Sequence, residues 1–168
     1  MYTDDCDVEL TGYSDSDWAG NLDDRKSTSG YAFNISTGVV SCSSKKQPTV
    51  SLSSTEAEYK ALCNATCEAV WLRIILEDIG NKQMKPTILK CDNQSSIKLA
   101  YNPIYHARTK HIEIQHHFVR EKIQEKEIVL TYCNTTENVA DIFTKPLGKM
   151  SFEVCRKHLG VIKNPFLH

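Results

Sequence analysis

Long hydrophobic runs are missing from this chain. No apolar stretch in its 168 residues approaches the roughly 18 that a membrane-spanning helix needs. The N-terminal MYTDDCDVEL is acidic where a secretory leader would be basic and then apolar. These absences exclude a helical membrane protein and lead us to expect an intracellular one, cytoplasmic or nuclear and not secreted. The CxxC pair is missing as well: none of the seven cysteines forms one, and a zinc site has no support. An odd count also suits no closed disulfide framework. Cys63 and Cys67, one helical turn apart, read as small buried thiols on a helix face.

Positive charge is absent from the first 24 residues, which carry eight acidic side chains and no lysine or arginine. The whole chain has a net charge of −1, so the remainder carries +7. A basic surface around an acidic pocket suits a substrate with a phosphate backbone, and ordinary solvated surface charge accounts for the same asymmetry. No repeat or low-complexity segment occurs. The length fits one domain over 1–168, with its core at about 8–160 and a tail at 161–168, large enough to bury a core without a staple.

What is present is a succession of short strands and amphipathic helices. Residues 8–14 (VELTGYS), SGYAFNIS and GVVSCSS read as three antiparallel strands, because the connections between them are too short for a parallel crossover. Residues 54–79 form the longest helical pattern, opened by a capping box of Ser53 with Glu56, or else of Thr55 with Glu58, and closed by Gly80. TILKCD follows as a strand, QSSIKLAYN as a short helix, residues 109–126 as a second amphipathic helix and EIVLTYC as a last strand. ENVADIFTK opens a terminal helix interrupted by Pro146. That order predicts an α/β architecture with a mixed sheet and helices packed on it.

Four acids fall where these elements start or end: Asp15, Glu58, Asp92 and Asp141. Helical geometry puts Glu58 on the stripe of Ala61, Leu62, Ala65, Ala69, Leu72 and Leu76 that should face the sheet, while Glu56 points away. Asp15 and Asp17 share a face if the first strand continues, so either is a possible ligand. Taken singly, Asp92 is explained as a turn or cap residue and Asp141 as an acid in the first turns of a helix. Carboxylates drawn together from separate elements repel one another, so a cluster of them points to hard divalent cations and to metal-dependent phosphoryl transfer.

Read together, YSDSDWAG, SLSSTEAEYKAL, KCDNQS, RTKHIEIQHHFVRE and NVADIFTKPL closely resemble the ribonuclease H domain of copia-type (Pseudoviridae) retrotransposon Pol polyproteins. The resemblance runs from about residue 8 to 160 in the family's order and spacing. It implies a ribonuclease H-like fold: a mixed five-stranded sheet, three antiparallel strands first, with helices on both faces. It also implies two Mg²⁺ ions, with Mn²⁺ able to substitute, held by Asp15, Glu58, Asp92 and Asp141 as catalytic and metal-binding residues. Alignment of the first motif selects Asp15 over Asp17.

The implied activity is hydrolysis of the RNA strand of RNA/DNA hybrids during reverse transcription. The implied partners are the hybrid and the reverse transcriptase domain of the same polyprotein. Ser53, Ser54, Thr55 and Gln94 match positions that touch the hybrid in relatives, and Arg108, Lys110 and His111, with His106, form a basic patch read as a backbone contact. Trp18 is read as core, with a stacking platform as the alternative. Many relatives carry a histidine shortly before the last aspartate, and YCNTTENVA has none. Two rival readings remain: a catalytically silent module or degenerate remnant, and an integrase-type site. The second ends its acid set in a late glutamate, whereas this chain ends it in Asp141.

Overall fold

The computed structural model describes residues 9–102 and 110–161; for 110–113 only the helical backbone is described. Three antiparallel strands come first: β1 (Leu10–Asp17), β2 (Thr28–Ile35) and β3 (Gly38–Lys46). Helix α1 (Ser54–Asp78), strand β4 (Thr87–Cys91), helices α2 (Gln94–Tyr101) and α3 (Lys110–Gln124), and strand β5 (Ile128–Tyr132) follow. Two short 3-10 helices, Thr135–Glu137 and Val139–Phe143, lead to α4 (Lys149–His158). The five strands make one sheet in the order β3-β2-β1-β4-β5, with β1 and β4 parallel and β4 and β5 parallel.

The sheet is covered on both faces. On one, the α1 residues Leu62, Ala65, Ala69 and Leu76 pack with Leu10, Phe33 and Leu89 of the strands, and α2 and α3 contribute Ala100 and Val119. The other face holds a smaller cluster of Ala32, Val139 and Leu159, which seats the second 3-10 helix and the end of α4. The stripe inferred for the long helix is thus its buried face, from Ala61 through Leu76.

Helix α1 begins and ends on side-chain and glycine signals. Ser53 Oγ accepts from the Glu56 amide at 3.1 Å, which selects Ser53 over Thr55 as the cap. The return bond differs from the expected one, because Glu56 Oε2 accepts from the Leu52 amide at 2.9 Å. At the other end, Gly80 takes φ +83°, while its amide bonds to Glu77 O and that of Asn81 to Leu76 O. That left-handed residue closes the helix as glycine does with least strain.

Two boundaries depart from the sequence reading. Strand β1 does not stop at residue 14, because Asp15, Ser16 and Asp17 continue the ladder opposite Gly30, Ser29 and Thr28. The segment around Asp141 is not the start of a terminal helix; it is a separate 3-10 helix capped by Asn138, and α4 begins only after Pro146. Proline lacks the amide hydrogen and disfavours helical geometry in the residue before it, so the two helical segments cannot merge.

Candidate metal centre and nucleic-acid face

Parallel pairing explains how the first two acids meet. Ser14 of β1 lies opposite Cys91 of β4, so the next residues, Asp15 and Asp92, emerge side by side at the C-terminal ends of neighbouring parallel strands. Crevices beyond such strand ends are where open α/β sheets form sites. Asp92 is free for this role because the following residue, Asn93, caps α2 by accepting from the Ser96 amide at 3.0 Å.

The third acid comes from the far end of the chain. Gly30, the strand partner of Asp15, has no side chain to hold the chain away: a Cβ there would lie 2.7 Å from Thr144 Cγ2 and 3.2 Å from Ala140 O. Through that gap the 140–144 segment closes onto β1, and Asn138 Nδ2 ties it down by donating to Ser14 O at 3.0 Å. Ligand oxygens of Asp15, Asp92 and Asp141 consequently lie within 4.8 Å of one another. Glu58, at the head of the buried face of α1, joins through Asp92 in a second group of the same tightness with Cys91.

Electrostatics show what this convergence costs. Burial, then the charges of Asp15 and Asp92, push the Glu58 carboxyl up to about 9. Burial, then Asp15, pushes Asp141 up to about 7, against the opposing pull of Lys145. Asp15, 1% exposed, is also raised, chiefly by burial, although Thr144 and Lys145 oppose the shift. Thr144 Oγ1 donates to Asp15 Oδ2, and Lys145 Nζ lies 3.0 Å from Asp141 Oδ2 and 3.7 Å from Asp15 Oδ2.

The donor set fits hard divalent cations. Glu58 Oε2 and Asp141 Oδ1 are buried without a hydrogen-bond partner, and buried carboxylate oxygens left in that state call for a cation. Cys91 is the soft member of its group, and burial raises its thiol, so it stays protonated and the oxygens carry the site. Asp17 belongs to neither group; it is half-buried at the end of β1, with its carboxylate against Gly20.

Around the acids lies an exposed polar rim. Ser53 and Ser54 at the start of α1 and Gln94 at the start of α2 are exposed. The two helix starts are joined by Ser96 Oγ, which donates to Thr55 O at 3.2 Å. Trp18 is not core: it is 49% exposed, and its indole N–H donates to Ser51 O at 3.1 Å, which holds it on the loop before α1. The basic patch is only partly in view. His106 and Arg108 lie outside the described residues, as do the side chains of Lys110 and His111. Of the neighbouring histidines, His116 stacks on Tyr59, ring centroids 4.1 Å apart.

Sequence reasoning missed three residues here: Asn138, Thr144 and Lys145. Their signal was the spacing N-x-x-D-x-x-T-K, an asparagine cap three before the acid and a lysine four after it.

No family model matches the chain. It is 42% identical over 158 residues to the retrovirus-related Pol polyprotein from transposon TNT 1-94 of Nicotiana tabacum, an alignment covering 94% of this chain and 12% of that protein. The corresponding polyprotein from transposon RE2 of Arabidopsis thaliana is 39% identical over 94% of the chain and 11% of its own length. The chain therefore spans about a tenth of the length of these curated relatives. Among solved structures, LC11 ribonuclease H1 in complex with an RNA/DNA hybrid superposes with a TM-score of 0.58 at 14% identity, covering 81% of this chain and 94% of that one. The N-terminal ribonuclease H domain of a Mycobacterium tuberculosis protein gives 0.59 at 12% identity, covering 89% and 97%.

Proposed function

Because this chain is a relative of the copia-type retrotransposon Pol polyproteins and has the ribonuclease H fold, we propose that it is a metal-dependent endonuclease that cuts the RNA strand of RNA/DNA hybrids. The observation that carries this reading is the convergence of Asp15, Asp92 and Asp141, oxygens within 4.8 Å, with Glu58 joined to them through Asp92. Nothing in ordinary packing rewards so many buried like charges.

In this reading Asp15, Glu58, Asp92 and Asp141 hold two divalent cations, Mg²⁺ or Mn²⁺. The chemistry supplied by the bound ions is a water of lowered pKa and charge stabilisation on the leaving 3′ oxygen. The chain's own groups orient the substrate. Ser53, Ser54 and Thr55 at the α1 start would contact DNA phosphate and RNA sugar, whose 2′-hydroxyls distinguish RNA from DNA, and Gln94 at the α2 start would touch the minor groove of the hybrid. Arg108, Lys110 and His111 would add backbone contacts that carry no sequence information. The reverse transcriptase portion of the same polyprotein is the proposed partner, and it would supply part of the grip on the hybrid. No described helix is long and apolar enough to cross a membrane.

The test is cleavage of a labelled RNA/DNA hybrid in Mg²⁺ or Mn²⁺, with single-stranded RNA and duplex DNA as controls. Hybrid alone should be cut, and Glu58→Gln or Asp92→Asn should abolish cutting. Full activity in either variant refutes the site. A parent protein that stays inert with every metal, even when fused to its polymerase, favours a silent module.

A further inference from the structure

Within the acid cluster sits a cation that belongs to the chain itself. Lys145 Nζ bridges Asp141 Oδ2, at 3.0 Å, and Asp15 Oδ2, at 3.7 Å. Among the described residues it is the only cationic side chain in ion-pair range of either carboxylate. Its position follows from the local backbone. The amides of Thr144 and Lys145 both bond to Asp141 O at 3.2 Å, a tight turn that folds Lys145 back over the aspartate four residues earlier. Pro146 then prevents the turn from lengthening into a helix that would carry the lysine away.

The two carboxylates held by this ammonium belong to the group whose oxygens converge within 4.8 Å. Resting on the nuclease reading above, we propose that Lys145 is a resident counter-ion of the cluster. Its ammonium holds Asp15 and Asp141 together in the metal-free protein and would give way when a divalent cation binds, so that Lys145 sets the affinity of the site for metal. The side chain has room to do so. Lys145 is one-third exposed, on a flexible four-carbon stem, whereas Asp15 beneath it is closed off from solvent. Thr144, still donating to Asp15, keeps that carboxylate aimed while the lysine leaves.

Competition of this kind separates two readouts that a merely structural lysine would move together. Lys145→Met keeps the apolar stem and removes the charge. In EDTA it should melt at a lower temperature than the parent, because Asp15 and Asp141 then face each other without a counter-ion. Calorimetric titration with Mn²⁺, with no nucleic acid present, should nevertheless show binding about tenfold tighter than in the parent, a size typical of coupled sites. Lys145→Arg, which retains the charge, should bind Mn²⁺ within about twofold of the parent, and it supplies the comparison if the methionine variant does not fold. Equal or weaker Mn²⁺ binding by Lys145→Met, or markedly tighter binding by Lys145→Arg, overturns the counter-ion role while leaving the nuclease reading intact. A parent protein that takes up neither Mn²⁺ nor Mg²⁺ defeats both.

Discussion

Asn138 Nδ2 donates to the carbonyl oxygen of Ser14 at 3.0 Å, joining two residues 124 positions apart. The same amide accepts from the Ala140 amide through Oδ1 at 3.2 Å, so one fully buried side chain both starts the 3-10 helix and pins it to β1. Asp15, one residue after Ser14, and Asp141, three residues after Asn138, are brought together by that link. Asn138→Ala would strand the buried Ala140 amide and remove the tie to Ser14 O, at a cost of about 1–3 kcal/mol for the stranded amide. Chemical denaturation should register that loss, and hybrid cleavage should fall even at temperatures where the variant remains folded.

Neutralising the acids should separate activity from stability. Glu58→Gln and Asp92→Asn should each lower hybrid cleavage by about 10²-fold or more, the scale on which loss of a group that stabilises transition-state charge is felt. Glu58→Gln should also melt at a higher temperature than the parent in EDTA at pH 8, because it removes a carboxyl whose ionisation the interior opposes. Asp17→Asn should retain cleavage within about twofold of the parent, since its carboxylate stands outside both acid groups. Initial-rate assays alongside melting curves check all three.

The pH dependence of metal-free stability has a definite sign. Glu58 titrates at about 9 in the folded protein against an ordinary 4.5, and Asp141 at about 7 against 3.8. Between those limits the folded protein keeps protons that the unfolded chain has released, so stability is greatest at low pH and is lost as pH rises. The Asp141 contribution should disappear by about pH 7 and the Glu58 contribution by about pH 9. Melting temperatures in EDTA should therefore fall from pH 5 to pH 9. Saturating Mg²⁺ should flatten that decline, because a bound cation favours the ionised carboxylates.

Metal binding should itself be visible in the melting point. An ion that binds only the folded state at a hundred times its dissociation constant adds about 2.7 kcal/mol. The parent should gain melting temperature with Mg²⁺ concentration, and Asp92→Asn, which loses the residue common to both acid groups, should gain little. A titration followed by differential scanning fluorimetry reads both proteins side by side.

Local physics made much of this readable in advance. The capping serine, the closing Gly80 and the apolar stripe of α1 are patterns of neighbouring residues, and each forms where the residue order places it. Glu58 was legible for the same reason: a helix of known pitch assigns each side chain a direction, and the one that led the apolar face had to be buried. The extent of β1 was not legible, since whether Asp15 to Asp17 continue a strand depends on partners in β2 rather than on their own preferences. Nor was Trp18, whose half-exposed position is set by a bond to the loop before α1.

The order of residues alone determined most of the strands and helices, which face of the long helix is apolar and that Glu58 leads that face, because those properties depend on side chains a few positions apart. Tertiary structure decided that Asp15 and Asp92 lie side by side, through the β1–β4 register, and that Asp141 reaches them, through Gly30 and Asn138. It also decided that Lys145 stands between two of the acids. The physical reason is distance along the chain: strand register and long-range hydrogen bonds join groups about 80 to 130 residues apart, and no local periodicity encodes such pairings.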